Sequence, residues 1–171
     1  MDNQIFEQRT SVRSYLQKAV PEALLRQLLE AAVQAPSGGN RQPWHFYVAR
    51  GEGLKKQLAA VAWQQKFVAE APVVLVVCAE PERSAERYQQ RGAELYCLQD
   101  TAAATQNILL CAAANGLGAC WVGAFDEPSV SAALALPKSH RPVAMIPLGY
   151  PKGAAKKPKR RKLEEAVTFV D

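Results

Sequence analysis

Apolar residues recur at two different periods along this 171-residue chain, and the switches between them mark out its elements. Leu24, Leu25, Leu28, Leu29 and Ala32 form a stripe at helical spacing. Residues 21–35 therefore read as an amphipathic helix, with Pro21 and Glu22 at its start and Pro36-Ser37-Gly38-Gly39-Asn40 as its stop. Leu54, Leu58 and Val61 predict a helix over 54–69. Residues 73–78 are a nearly continuous β-branched run, the pattern of a strand covered on both faces. The longest helical stretch is 93–115, where apolar residues wrap most of the circumference, as in a core helix, and Asn115-Gly116 ends it. Shorter signals predict helices at 2–8 and 128–135 and strands at 44–49, 119–122 and 143–149. A last strand at 168–170 would be reached by a long arm. Helices and strands intermix without a βαβ repeat, which predicts an α+β fold. No linker or internal repeat divides the chain, so residues 1–171 read as one domain with a C-terminal arm, 152–171.

Composition narrows the class. Hydrophobic residues make up 49% and charged residues 22%, which is ordinary for a globular chain. No apolar run is long enough for a membrane span, and the N-terminus lacks a secretory pattern, so a cytoplasmic setting is expected. The net charge of +5 is local: seven Lys/Arg lie within 152–162, and the rest of the chain carries −2. Cys78, Cys97, Cys111 and Cys120 have small or apolar neighbours and form no CxxC pair, which predicts buried free thiols. His45 and His140, the only histidines, are far apart in sequence, and this inventory argues against a zinc site.

Four segments carry candidate chemistry. In Arg9-Thr10-Ser11-Val12-Arg13, Arg9, Ser11 and Arg13 share a side if the chain is extended, and Arg9 and Arg13 share a face if it is helical. Two guanidiniums and a hydroxyl suit a phosphate monoester, although a solvated basic helix end would look the same. In the segment 36–44, Gly38 and Gly39 allow close backbone approach. Ser37, Asn40 and Gln42 there offer groups for a heterocycle edge, or the segment is simply a turn leading Trp44 into the core. Gly118, Ala119, Gly123 and Ala124 leave room for flat packing on an aromatic ring, or for a strand crossing other backbone. The basic run ending in Arg160-Arg161-Lys162 reads as a solvated tail, as a nucleic-acid contact, or as the completion of the phosphate site. It lacks interleaved aromatics, which weakens single-strand binding. Residues 152–159 read as largely solvated.

Taken in order, RTSVRSY (9–15), APSGGNRQPW (35–44), EAPVVLVV (70–77), GLGACWVGAF (116–125) and RRKLEEAV (160–167) resemble the nitroreductase family over nearly the whole chain. The resemblance implies an α/β sandwich around a mostly antiparallel sheet. It also implies an intertwined homodimer that exchanges C-terminal arms, with FMN at the subunit interface. Arg9, Thr10, Ser11 and Arg13 match the segment at the phosphate and pyrimidine. Pro36, Ser37, Gly38, Gly39 and Asn40 match the stretch that reaches the flavin from the other subunit. Gln64 falls near a position that reads the pyrimidine edge, Val122, Gly123 and Ala124 match backbone near flavin N5, and Arg160 and Arg161 match a basic pair near the phosphate. Lys162 departs from the proline usual before Leu-Glu-Glu, and the chain is short for the family. The implied activity is ping-pong hydride transfer from NADH or NADPH through FMN to a small electron-poor acceptor: a nitroaromatic, a quinone or a flavin. No catalytic side chain, metal, nucleic-acid partner or membrane is implied. Dehalogenation, flavin fragmentation and azoline oxidation are other reactions of the scaffold. A basic nucleic-acid-associated protein without turnover is the alternative from outside it.

Overall fold

The computed structural model describes residues 4–170. Its centre is a four-stranded antiparallel sheet of order β1-β2-β4-β3, formed by β1 Trp44–Ala49, β2 Val73–Ala79, β3 Gly118–Ala119 and β4 Arg141–Gly149. Every residue of β2 is buried. Alternation sends Val73, Leu75 and Val77 into one core layer with Leu25, Leu28, Ala104 and Ile108. Val74, Val76 and Cys78 face the opposite layer, with Leu58, Val68 and Val130. Each fully buried aliphatic side chain contributes about 1.5–3 kcal/mol relative to exposure, so this strand has no solvent face to spare. The β-branched run is the signature of that double burial.

Helices cover both faces. α2 (Glu22–Val33) and α6 (Cys97–Ala114) pack on the first face, and the Asn107 amide donates to Ala31 O (3.0 Å) between them. Thr101 and Thr105 are buried in α6 because their hydroxyls donate to carbonyls four residues earlier, at 2.8 Å each. α3 (Glu52–Val61), α4 (Lys66–Glu70) and α7 (Glu127–Ala133) serve the second face. α1 (Gln4–Gln8) leads into the extended segment 9–15; residues 2 and 3 of the expected first helix lie outside the described residues.

Four expectations change. The single helix over 54–69 is two helices, broken where Trp63 and Gln64 adopt positive φ. The break is held by partners from elsewhere: Asp126 N–H donates to Val61 O (3.0 Å), and the Gln65 amide donates to Ala62 O and Ala124 O. α5 (Pro81–Arg91), kinked at Gln89, was not foreseen, because its sequence is polar nearly all round. It runs through a π-helical turn, Gly92–Tyr96, into α6, so the helix expected from 93 starts as α6 only at Cys97. The strand expected at 119–122 is Gly118–Ala119 followed by an isolated bridge, Val122 to Met145. Residues 168–170 pair with no strand among the described residues, and Phe169 is 92% exposed.

Candidate functional site

The segment Arg9–Tyr15 is extended and pinned. Ser11 bridges Ala119 in parallel, Val12 N–H donates to Ala119 O (3.0 Å), and the buried Tyr15 hydroxyl donates to Val12 O (2.7 Å), with Pro147 O 3.0 Å away. Burial pushes the Tyr15 pKa up, so the phenol keeps its proton as a structural donor. Gly118 is required here, because a Cβ would lie 2.6 Å from Val12 Cγ1. With Val12 and Tyr15 anchored inward, Arg9, Ser11 and Arg13 are left on the outer side, as the extended reading expected.

The C-terminal arm leaves beside this segment. Leu16 N–H donates to Tyr150 O (2.8 Å) and Lys152 N–H to Ser14 O (2.9 Å), which lays the start of the arm antiparallel to it. Residues 156–160 then close a cleft of about 700 Å³ lined by Arg9, Thr10, Ser11, Arg13, Lys156 and Arg160, among others. Glu7 is its one acidic lining residue. Among the described residues, Arg9, Arg13 and Arg160 form no ion pair with a carboxylate. The Arg13 guanidinium lies 5.7 Å from the Phe67 ring centroid. Unpaired guanidiniums and a hydroxyl lining one cleft are chemistry for a phosphate. Lys156 and Lys157 remain exposed, as expected of a solvated stretch, yet both line this cleft. Arg161 does not.

The other expected site residues lie elsewhere in the protomer. None of Pro36–Asn40 lines the cleft. Gly38–Asn40 is a single 3₁₀ turn whose Gly38 N–H points at the Asp100 carboxylate, 3.2 and 3.3 Å from its oxygens. Burial raises the Asp100 pKa against the pull of that N–H. Gly39 has φ +55°, and a Cβ there would meet the Tyr88 hydroxyl at 2.6 Å. Ser37 Oγ accepts Gln42 N–H (2.9 Å) and Asn40 Oδ1 accepts the Gln42 amide (3.3 Å), so both oxygens are engaged within the loop. Val122 N–H is committed to Met145 O (2.9 Å). Gly123 and Ala124 are exposed, and their N–H groups make no hydrogen bond among the described residues. Gln64 is exposed in the turn between α3 and α4; its neighbour Gln65 is the side chain that reaches Ala124.

All four cysteines are free; Cys78, Cys97 and Cys120 are buried and Cys111 half-buried. Burial pushes every thiol up, Cys78 to about 12, and at Cys120 it outweighs the opposing pull of Arg13 and Ser11. The expectation for the histidines changes. Strand pairing brings His45 and His140 together, with ring centroids 4.4 Å apart, and Glu80 joins them. Sequence separation hid this cluster. The only hint in the sequence was an acid directly after the central strand.

The nitroreductase family model matches residues 6–67 and 55–150. A Thermus thermophilus protein described as an NADH dehydrogenase is 34% identical over 188 residues, covering 94% of this chain and 92% of its own length. A Bacteroides thetaiotaomicron crystal structure, described as an NADH dehydrogenase/NAD(P)H nitroreductase, superposes with a TM-score of 0.84 at 31% identity. The match covers 99% of this chain and 98% of that one. At lower identity, 24%, the chain is similar to an iodotyrosine deiodinase of Haliscomenobacter hydrossis, covering 98% of this chain and 86% of its relative. A family model spanning most of the chain, a sequence relative matched nearly end to end and a shared fold agree: the chain belongs to the nitroreductase family of oxidoreductases.

Proposed function

We propose that residues 1–171 form one FMN-binding domain that passes reducing equivalents from NADH or NADPH to small electron-poor acceptors by a ping-pong sequence. The observation that carries this reading is the cleft lined together by Arg9, Ser11, Arg13 and Arg160, whose three arginines have no ion-pair partner among the described residues. One such cluster fits one phosphate, and the chain has no glycine fingerprint for a second nucleotide half, which favours FMN over FAD. The chemistry FMN supplies when bound is acceptance and return of hydride at N5.

The residues of the chain bind and orient. The planar guanidinium forks of Arg9, Arg13 and Arg160 match the geometry of phosphate oxygens. Gly123 and Ala124 keep backbone donors free at the surface. The loop Pro36–Asn40 and the segment 122–124 would complete the site across a homodimer interface. Two features support that arrangement: the arm 156–170 is exposed throughout, and Phe6, Trp63, Trp121 and Phe169 are apolar side chains on the surface of one protomer. An exposed terminal arm of this kind fits a partner's sheet edge. No helix of the described residues is long and apolar enough to cross a membrane.

Cofactor released by acid from the purified protein should run with FMN, at about one per chain. Initial rates with NADH or NADPH against a nitroaromatic, a quinone or a free flavin should give parallel double-reciprocal lines. Release of FAD, or no flavin uptake even after addition of FMN, contradicts the proposal. Intersecting lines contradict the ping-pong order.

A further inference from the structure

His45 on β1, Glu80 just after β2 and His140 just before β4 come from three strand ends that the sheet places side by side. Trp44 pairs with Ala79, and Ala79 with Arg141, so the three residues flank one row across the sheet. Glu80 is fixed by its own N–H, which donates to Pro43 O (3.0 Å). Glu80 Oε1 lies 3.8 Å from His45 Nδ1 and 3.7 Å from His140 Nε2, and the three ligand atoms lie within 4.8 Å of one another. Around a tetrahedral ion with bonds of about 2.0–2.1 Å, ligand atoms stand roughly 3.3 Å apart. Contraction by a few tenths of an ångström at two contacts, and at most about 1.5 Å at the third, would close the site.

A fourth residue supplies an independent sign. Tyr47, two residues beyond His45 on the same face of β1, has its hydroxyl 2.7 Å from His140 Nδ1. A metal-bound imidazole uses one nitrogen for the ion and donates the other N–H to an oxygen. Tyr47 occupies that second position and leaves Nε2 on the side of Glu80, 3.7 Å from its Oε1. The surrounding charges leave room for an ion. Arg83 Nη1 is 4.0 Å from Glu80 Oε2, the carboxylate oxygen not facing the histidines, and Arg141 is engaged by Glu127 through two contacts of 2.9 Å. His45 is 48% exposed, and an open recess of about 410 Å³ beside His45, Glu80 and Arg83 provides the way in.

We propose that His45, Glu80 and His140 form a binding site for a zinc-type divalent transition ion that staples the ends of β1, β2 and β4, with water in the remaining position. Two imidazoles and a carboxylate suit zinc and its first-row neighbours, and they disfavour magnesium, which takes oxygen ligands. The site stands at the Arg141 end of β4. The cationic cleft stands at the other end, where Ser11 meets Ala119 and Ala119 meets Leu148. The length of β4, on the order of 25–30 Å, separates the ion from the cleft of its own protomer.

The test uses tag-free, flavin-loaded protein stripped with a chelator and titrated calorimetrically with Zn²⁺ or Mg²⁺. Saturable uptake of Zn²⁺ at one ion per chain and none of Mg²⁺ is the expected result, together with a higher melting temperature. The Co²⁺ form should show visible d–d bands without near-ultraviolet thiolate bands, which separates this site from the cysteines. His45→Ala, at an exposed position, should weaken Zn²⁺ binding at least tenfold, and Tyr47→Phe about tenfold, the lower end for loss of a supporting partner. No saturable uptake, equal uptake by His45→Ala, or thiolate bands in the Co²⁺ spectrum overturns the proposal, whatever the fate of the flavin reading.

Discussion

The two ends of β4 carry two polar clusters built in opposite ways. At the Leu148 end, Arg9, Ser11 and Arg13 come from five consecutive residues and are joined by Arg160 from the arm. At the Arg141 end, His45, Glu80 and His140 come from three strands and meet only because the sheet pairs them. The first cluster needs a local extended backbone and an anchor on each side. The second needs the entire register of β1, β2 and β4. Local motifs survive in a sequence read by itself, whereas clusters that depend on register do not.

The predictions act on that contrast in order of expected effect. Leu75 is fully buried in the strand common to both ends. Leu75→Ala should cost about 2–5 kcal/mol of stability, measured by urea unfolding, and should weaken both ends together. A loss confined to one end would show that they do not share a frame. Arg9→Ala should weaken FMN binding about ten- to a hundredfold, as the loss of a charge-assisted hydrogen bond of about 1.5–3 kcal/mol implies, while leaving Zn²⁺ uptake unchanged. Flavin fluorescence titration of the apo-protein measures the first and calorimetry the second. Arg160→Ala should weaken FMN more than Arg161→Ala, because only Arg160 lines the cleft. Equal effects would place the arm differently from the arrangement described.

The smallest effect concerns the Gly38–Asn40 loop. Burial raises the pKa of Asp100 in the folded chain above its ordinary value of 3.8. Its contribution to stability is therefore fully present below the unfolded pKa and lost as pH rises through the folded one. Asp100→Asn cannot ionise, so its unfolding midpoint should gain on the parent's from pH 3.8 upward and then run level. Urea midpoints across that range decide it. A gap that narrows with rising pH would mean that the Gly38 N–H, not burial, governs this carboxyl.

Much of the frame was legible for a physical reason. The β-branched run of β2 is a direct consequence of burial on both faces, whereas α6, apolar most of the way round, buries one stripe that includes Cys97, Ala104, Ile108 and Ala112 and leaves its other side half-buried or exposed, so it is not the all-round core helix its pattern predicts. α5 escaped because Pro81–Arg91 presents mostly polar side chains, so no apolar stripe marks it. The break after Val61 escaped because its carbonyl is capped by Asp126, more than sixty residues away. In the candidate site, Arg9, Ser11 and Arg13 were legible as a contiguous motif and are brought together as expected. The lining role of Lys156 and Lys157 was not, since it depends on where residues 150–152 lay the arm. The commitment of Val122 N–H to Met145 was equally hidden, because it is a pairing across the sheet.

The central claim is that the cationic cleft holds the phosphate of a flavin mononucleotide. FMN and riboflavin differ only in that phosphate, so titrating apo-protein and Arg9→Ala with each isolates its contribution. The parent should prefer FMN by about a hundredfold or more, as two or more charge-assisted contacts imply, and Arg9→Ala should lose most of that preference while binding riboflavin as the parent does. Equal affinity of the parent for the two ligands, or a preference untouched by Arg9→Ala, would contradict the account.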